Sequence, residues 1–125
     1  MSDRKTVILC VDDEDNPLVL RKLVLQKAGH EVITARSGKE ALDLIACREI
    51  DLVLSDYLMP GMNGAELAHE VKAQRPHMPV VLISGVNEMP PGASIADAFV
   101  SKVEGPDALS RQITAVLGRG KARTQ

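Results

Sequence analysis

Five short apolar runs, each closed by polar residues and separated by longer amphipathic stretches, dominate this chain. They are Val7-Ile8-Leu9-Cys10-Val11, the half-apolar Glu31-Val32-Ile33-Thr34-Ala35, Leu52-Val53-Leu54, Val80-Val81-Leu82-Ile83 and Ala98-Phe99-Val100. Runs of this length without alternation read as strands buried on both faces, the habit of parallel sheets. With helical stretches between them the pattern is βα five times over. Parallel strands with right-handed helical crossovers make a doubly wound α/β sheet, for which the order 2-1-3-4-5 is a common solution with five strands.

The residues that close these runs carry the chemistry. Asp12-Asp13 follow the first, Ser55-Asp56 the third, Ser84 the fourth and Ser101-Lys102 the fifth. In an open α/β sheet the C-terminal strand ends form the ligand-binding edge. Three carboxylates gathered there repel each other unless a hard cation sits among them, and oxygen-only ligation suits Mg²⁺. A carboxylate can attack phosphorus to form an acyl phosphate, a lysine ammonium can pair with the transferred group, and a hydroxyl can hydrogen-bond its oxygens.

The helix signals are local. Asn16 as cap and Pro17 at the first position open helix one, with Leu20, Leu23, Val24 and Ala28 as its apolar face and Gly29 as its stop. Ser37 to Glu40 reads as a capping box, followed by Ala41, Leu42, Leu44 and Ile45 facing inward, and Asn63 with Glu66 starts the third helix, which Pro76 closes. Gly105-Pro106-Asp107 opens the last helix, with Leu109, Ile113, Val116 and Leu117 at core spacing and Gly118 as its end.

At 125 residues the chain is one domain, with an expected core over about 6–118 and a basic tail over 119–125. Its net charge of −2 provides no general field for nucleic acid, and Tyr57 and Phe99 are too few to stack bases. No apolar run approaches the ~20 residues needed to span a bilayer. Cys10 and Cys47 show no metal or redox spacing, which fits a reducing cytoplasm. His30, His69 and His77 read as surface residues.

The chain resembles a response-regulator receiver domain of bacterial two-component signalling. The likeness rests on V-D-D-E at Val11 to Glu14, S-D-Y-L-M-P-G-M-N-G at Ser55 to Gly64, I-S-G at Ile83 to Gly85 and F-V-S-K at Phe99 to Lys102. It implies a flavodoxin-like fold and a phospho-accepting switch that is not an enzyme beyond its own phosphorylation and dephosphorylation. Asp56 would accept a phosphoryl group from a sensor histidine kinase or a histidine phosphotransfer protein. Asp13 would ligate Mg²⁺ directly, Asp12 through water, and Leu58 through its backbone carbonyl, with Asp56 completing the set. Ser84 would be the switch hydroxyl, Phe99 the switch aromatic and Lys102 the phosphoryl-pairing lysine. The downstream effector stays open, as does a homodimer; direct nucleic-acid contact and membrane insertion are not expected.

Two departures from the family pattern stand out. Val103 follows the strand-five lysine where the family usually has a proline in a cis peptide. A cis bond before valine would cost about 3–4 kcal/mol, so a differently built loop is expected. Between Ser84 and strand five, Pro90, Pro91 and Gly92 leave room for little more than one helical turn, starting no earlier than about Pro91. A shortened or irregular fourth helix and a remodelled dimer face follow as expectations. The alternatives are a Mg²⁺-dependent phosphatase with an aspartate nucleophile, using the D-x-D of Asp13-Glu14-Asp15, and a receiver-like adaptor that works without phosphorylation.

Overall fold

The computed structural model describes residues 5–85 and 92–123. Its five strands are β1 (Val7–Val11), β2 (Glu31–Ala35), β3 (Leu52–Asp56), β4 (Val80–Ser84) and β5 (Ala98–Ser101). Four α-helices accompany them among the described residues: α1 (Asp15–Lys27), α2 (Gly38–Cys47), α3 (Gly64–Gln74) and α4 (Gly105–Arg123). The sheet runs β2-β1-β3-β4-β5 with every neighbouring pair parallel, as the strand pattern implied. None of the helices is long and apolar enough to cross a membrane.

Alternation along each strand divides the core into two layers. Leu9, Val11, Val53, Val80 and Leu82 point to one side and meet Ala41 and Ile45 of α2 and Leu67, Ala68 and Val71 of α3. Ile8, Cys10, Leu52, Leu54, Val81, Ile83 and Val100 point to the other and meet Leu18 and Leu25 of α1 and Leu109, Ile113 and Val116 of α4. β1, β3 and β4 are buried along their whole length. Each fully buried Leu or Ile contributes about 1.5–3 kcal/mol by leaving water.

Helix α1 departs from the sequence reading. It starts at Asp15, with Glu14 in the cap position and no side-chain cap, so Asn16 and Pro17 both lie in the first turn. Pro17 is tolerated there because a first-turn N–H has no helical acceptor to lose. The expected apolar face is rotated as well: Leu20 and Leu23 are 64% and 58% exposed, while Leu18 and Leu25 are buried. The inward stripe is Leu18, Arg21, Leu25, at i, i+3, i+7. A charged residue in the middle of that stripe hid it from an apolarity pattern. Gly29, at φ +99°, does end the helix, with its N–H on Gln26 O and the His30 N–H on Leu25 O.

Elsewhere the caps largely follow expectation. Asn63 and Glu66 form a reciprocal capping box on α3, at 2.8 and 2.9 Å. Ser37 caps α2 through the Glu40 N–H, but the Glu40 carboxylate reaches back to the Arg36 N–H at 2.7 Å instead of to Ser37. Gly118 does not end α4, whose helical backbone continues to Arg123 through much of the stretch expected to be a basic tail. A mid-helix glycine costs only about 1 kcal/mol against alanine, too little to end the helix by itself.

The crossover from β4 to β5 contains, among the described residues, a single 3₁₀ turn at Ala93–Ile95, entered from Gly92 at φ +80°. The expectation that a helix starts no earlier than about Pro91 falls partly on 86–91, outside the described residues. Asp97 sets where β5 starts. Its N–H donates to Val80 O, and its carboxylate accepts from the Val80 N–H at 2.8 Å and from Lys72 Nζ at 2.6 Å. Lys72 also reaches Met78 O at 2.8 Å, so one half-buried ammonium ties α3, the approach to β4 and the start of β5 together.

Candidate phosphoacceptor site

Strand register assembles the site. Val11 lies abreast of Ser55 across β1 and β3, so the next residues, Asp12 and Asp56, sit side by side beyond the pair. Asp56 is abreast of Ile83 and Ser84 abreast of Ser101, which brings Ser84 and Lys102 to the same edge. Ser84 is buried there. Phe99 is half-buried against the α2–α3 layer, and Leu58, two residues past β3, has a side chain 70% exposed.

Asp12, Asp13 and Asp56 converge: one carboxylate oxygen from each lies within 4.8 Å of the others. The donor set is all oxygen and formally carries three negative charges, a fit for a hard divalent cation such as Mg²⁺. Lys102 Nζ sits 2.9 Å from Asp56 Oδ1. That oxygen is buried, and its close cationic partner is the Lys102 ammonium.

The turn that presents Lys102 is built by residues that sequence reading passed over. Among the described residues no peptide bond is cis, so Lys102–Val103 is trans. Instead, Lys102–Glu104 forms a 3₁₀ turn, making Ser101 the last residue of β5. The Ser101 hydroxyl accepts from the Val103 N–H at 3.4 Å, while the Ser101 N–H donates to Glu104 Oε1 at 3.1 Å. A capping box thus aims the lysine, and Val103 projects into solvent at 74% exposure.

Arg21 is the member of this cluster that sequence reasoning missed. From the inward stripe of α1 its Nη1 donates to Asp12 Oδ2 at 2.7 Å, and its Nη2 lies 3.9 Å from Asp56 Oδ1. Asp12 Oδ1 accepts from the Glu14 N–H at 3.0 Å, so both oxygens of this fully buried carboxylate are engaged. The only sequence signal was an arginine at i+3 from Leu18 and i−4 from Leu25. The D-x-D alternative fails to assemble: Asp15 is exposed and pairs with Arg36 at 3.2 Å.

Burial pushes the Asp56 carboxyl above its ordinary value; the Asp12 charge adds to this, and the Lys102 and Arg21 cations oppose it. The folded state therefore holds the Asp56 proton more tightly than the unfolded chain does. The resulting penalty is absent below the ordinary carboxylate pKa, grows as pH rises and is complete above the folded value. In a metal-free buffer Asp56→Asn should melt above the wild type near neutral pH, with the difference closing as pH falls toward about 4. Thermal melts across pH measure this, and a variant less stable than wild type at neutral pH contradicts it. Burial also pushes the Cys10 thiol up to about 12, keeping it neutral beside this cluster.

A family model described as the response regulator receiver domain matches residues 8–114. This chain belongs to the response-regulator receiver family. The receiver is 32% identical over 128 residues to the transcriptional regulatory protein GlrR of Escherichia coli, covering 99% of this chain and 29% of that one. It therefore spans under a third of that relative. Among solved structures it is similar to the response regulator TrrA of Thermotoga maritima in complex with Mg²⁺-BeF, at TM-score 0.84 and 33% identity, covering 89% of this chain and 98% of that one. It is also similar to a CheY-like receiver domain from Methanospirillum hungatei, at TM-score 0.88 and 28% identity, covering 96% and 99%. Receiver domains accept phosphoryl groups from histidine kinases and regulate effector domains.

Proposed function

We propose that Asp56 is the phosphoryl acceptor of this receiver and that Asp12, Asp13, Asp56 and the Leu58 carbonyl hold Mg²⁺ beside it. The convergence of the three carboxylates on Lys102 carries the reading. An Asp56 oxygen attacks the phosphorus of a phosphohistidine on a sensor kinase or phosphotransfer protein. The new O–P bond forms as the P–N bond breaks, and the imidazole leaves. Mg²⁺, when bound, neutralises charge on the phosphoryl oxygens. Lys102 pairs with the same group, held in place by the Ser101–Glu104 capping box.

Ser84 lies at the edge of the site and donates its hydroxyl to the phosphoryl group, and Phe99, half-buried against the α2–α3 layer, answers that shift. The chain acts as a single receiver unit whose only chemistry is its own phosphorylation and dephosphorylation. Its free cysteines suit a reducing cytoplasm. The structural likeness to a receiver in complex with Mg²⁺-BeF supports the metal assignment.

Incubation with acetyl phosphate and Mg²⁺ followed by intact mass tests this directly: one added phosphoryl group is expected, and none without divalent cation. Asp13→Asn removes one anionic ligand and should raise the Mg²⁺ concentration needed for half-maximal labelling by roughly tenfold or more. An Asp13→Asn protein that labels at the wild-type Mg²⁺ requirement would remove Asp13 from the ligand set.

A further inference from the structure

We propose that Arg21 is a built-in counter-cation of the acceptor site, a positioning residue that keeps its affinity for divalent cations low. This inference rests on the Mg²⁺ site proposed above. The guanidinium bridges two of the three converging carboxylates, at 2.7 Å from Asp12 Oδ2 and 3.9 Å from Asp56 Oδ1. Its side chain is only 11% exposed, and the Asp12 side chain is fully buried. Charges this far from water interact strongly, because the surrounding dielectric screens them little.

The formal balance shows the consequence. Asp12, Asp13 and Asp56 bring three negative charges, and Arg21 and Lys102 bring two positive ones. One net negative charge remains to attract a dication, where Lys102 alone would leave two. Arg21 also occupies the Asp12 oxygen that the Glu14 N–H does not. A hydrated Mg²⁺ near Asp12 must share that oxygen with the guanidinium or displace it. The position is not an accident of a flexible surface side chain. Arg21 emerges from the buried stripe of α1, between the core residues Leu18 and Leu25, and such a charge is maintained there only with its anionic partners in place.

The same contact explains how the site stays folded without metal. Asp12 would otherwise be a fully buried carboxylate with one oxygen unpaired, facing Asp56. Arg21 thus trades metal affinity for stability of the metal-free receiver. A merely structural ion pair would stabilise the fold equally with and without Mg²⁺, and that difference separates the two roles.

The test is Mg²⁺ binding by calorimetry, with thermal melts across Mg²⁺ concentration, on the full chain and its Arg21→Met, Arg21→Gln and Arg21→Lys variants. Arg21→Gln keeps a donor near Asp12 without the charge, and guards against Arg21→Met failing to fold. Loss of the charge should tighten Mg²⁺ binding about tenfold or more, and Arg21→Lys, which keeps the charge but not the two-nitrogen fork, should tighten it less than either neutral variant. Without Mg²⁺ the neutral variants should melt below wild type, and saturating Mg²⁺ should close most of that gap. Unchanged or weaker Mg²⁺ binding in Arg21→Gln would overturn the inference, as would a melting gap independent of Mg²⁺. If neither wild type nor any variant binds Mg²⁺, the metal site itself is refuted, a result distinct from equal binding by all.

Discussion

Asp56→Asn protein incubated with acetyl phosphate and Mg²⁺ is expected to gain no phosphoryl mass, under conditions in which the wild type gains one group. The substitution keeps the shape of the side chain but replaces the carboxylate proposed to attack phosphorus with a carboxamide, a far weaker nucleophile. Asp12 is poorly placed to substitute for it. Both oxygens of Asp12 are engaged, by the Glu14 N–H and by Arg21. Lys102, the cation proposed to meet the phosphoryl group, is 2.9 Å from Asp56 Oδ1. Because Asp56→Asn should also stabilise the metal-free protein near neutral pH, lost labelling could not be ascribed to unfolding. Labelling of the variant to the wild-type extent would remove Asp56 from the role.

Gly64→Ala should be the most damaging single-methyl change near the site. A Cβ on Gly64 would sit 2.6 Å from the carbonyl oxygen of Asp56, 2.9 Å from the Tyr57 Cα and 3.0 Å from Leu82 Cδ2. Two of these are backbone atoms, and the Gly64 N–H is itself bonded to Tyr57 O at 2.8 Å, so neither side can yield freely. Overpacking of this kind costs about 1–3 kcal/mol, and a melting temperature lower by roughly 5–15 °C is expected for a chain of this size. The strain falls on Asp56, the residue proposed as phosphoryl acceptor, so labelling should slow as well. Gly118→Ala is the control: nothing lies within 4 Å of its added Cβ, it is inside α4, and it should stabilise by about 0.5–1 kcal/mol. A Gly64→Ala protein as stable as wild type would show that the loop after β3 relaxes more easily than its contacts imply.

What could be read without coordinates was whatever rests on local pattern. Continuous apolar runs ending in polar residues are a one-dimensional signature of buried parallel strands. They located all five strands and the edge to which Asp12, Asp13, Asp56, Ser84 and Lys102 belong, while the order 2-1-3-4-5 came as the common solution for five such strands. The Asn63–Glu66 box and the Gly29 stop were legible for the same reason, since each involves residues a few positions apart. Three features depended on the assembled fold. The inward face of α1 was misread because its middle residue is a charge, and a charge faces a core only when partners from other strands await it. Those partners, Asp12 and Asp56, are supplied by the ends of β1 and β3. The start of β5 is held by Lys72 and Asp97, 25 residues apart, a pairing no local window contains. The turn at Lys102 was open until Ser101 and Glu104 were seen to cap it, because whether a short S-x-x-E segment closes on itself is decided by where the strand before it ends. Strand ends and their carboxylates are thus a property of the sequence, whereas the cations that neutralise them are placed by the tertiary structure, because ion pairs act through space with no regard for separation along the chain.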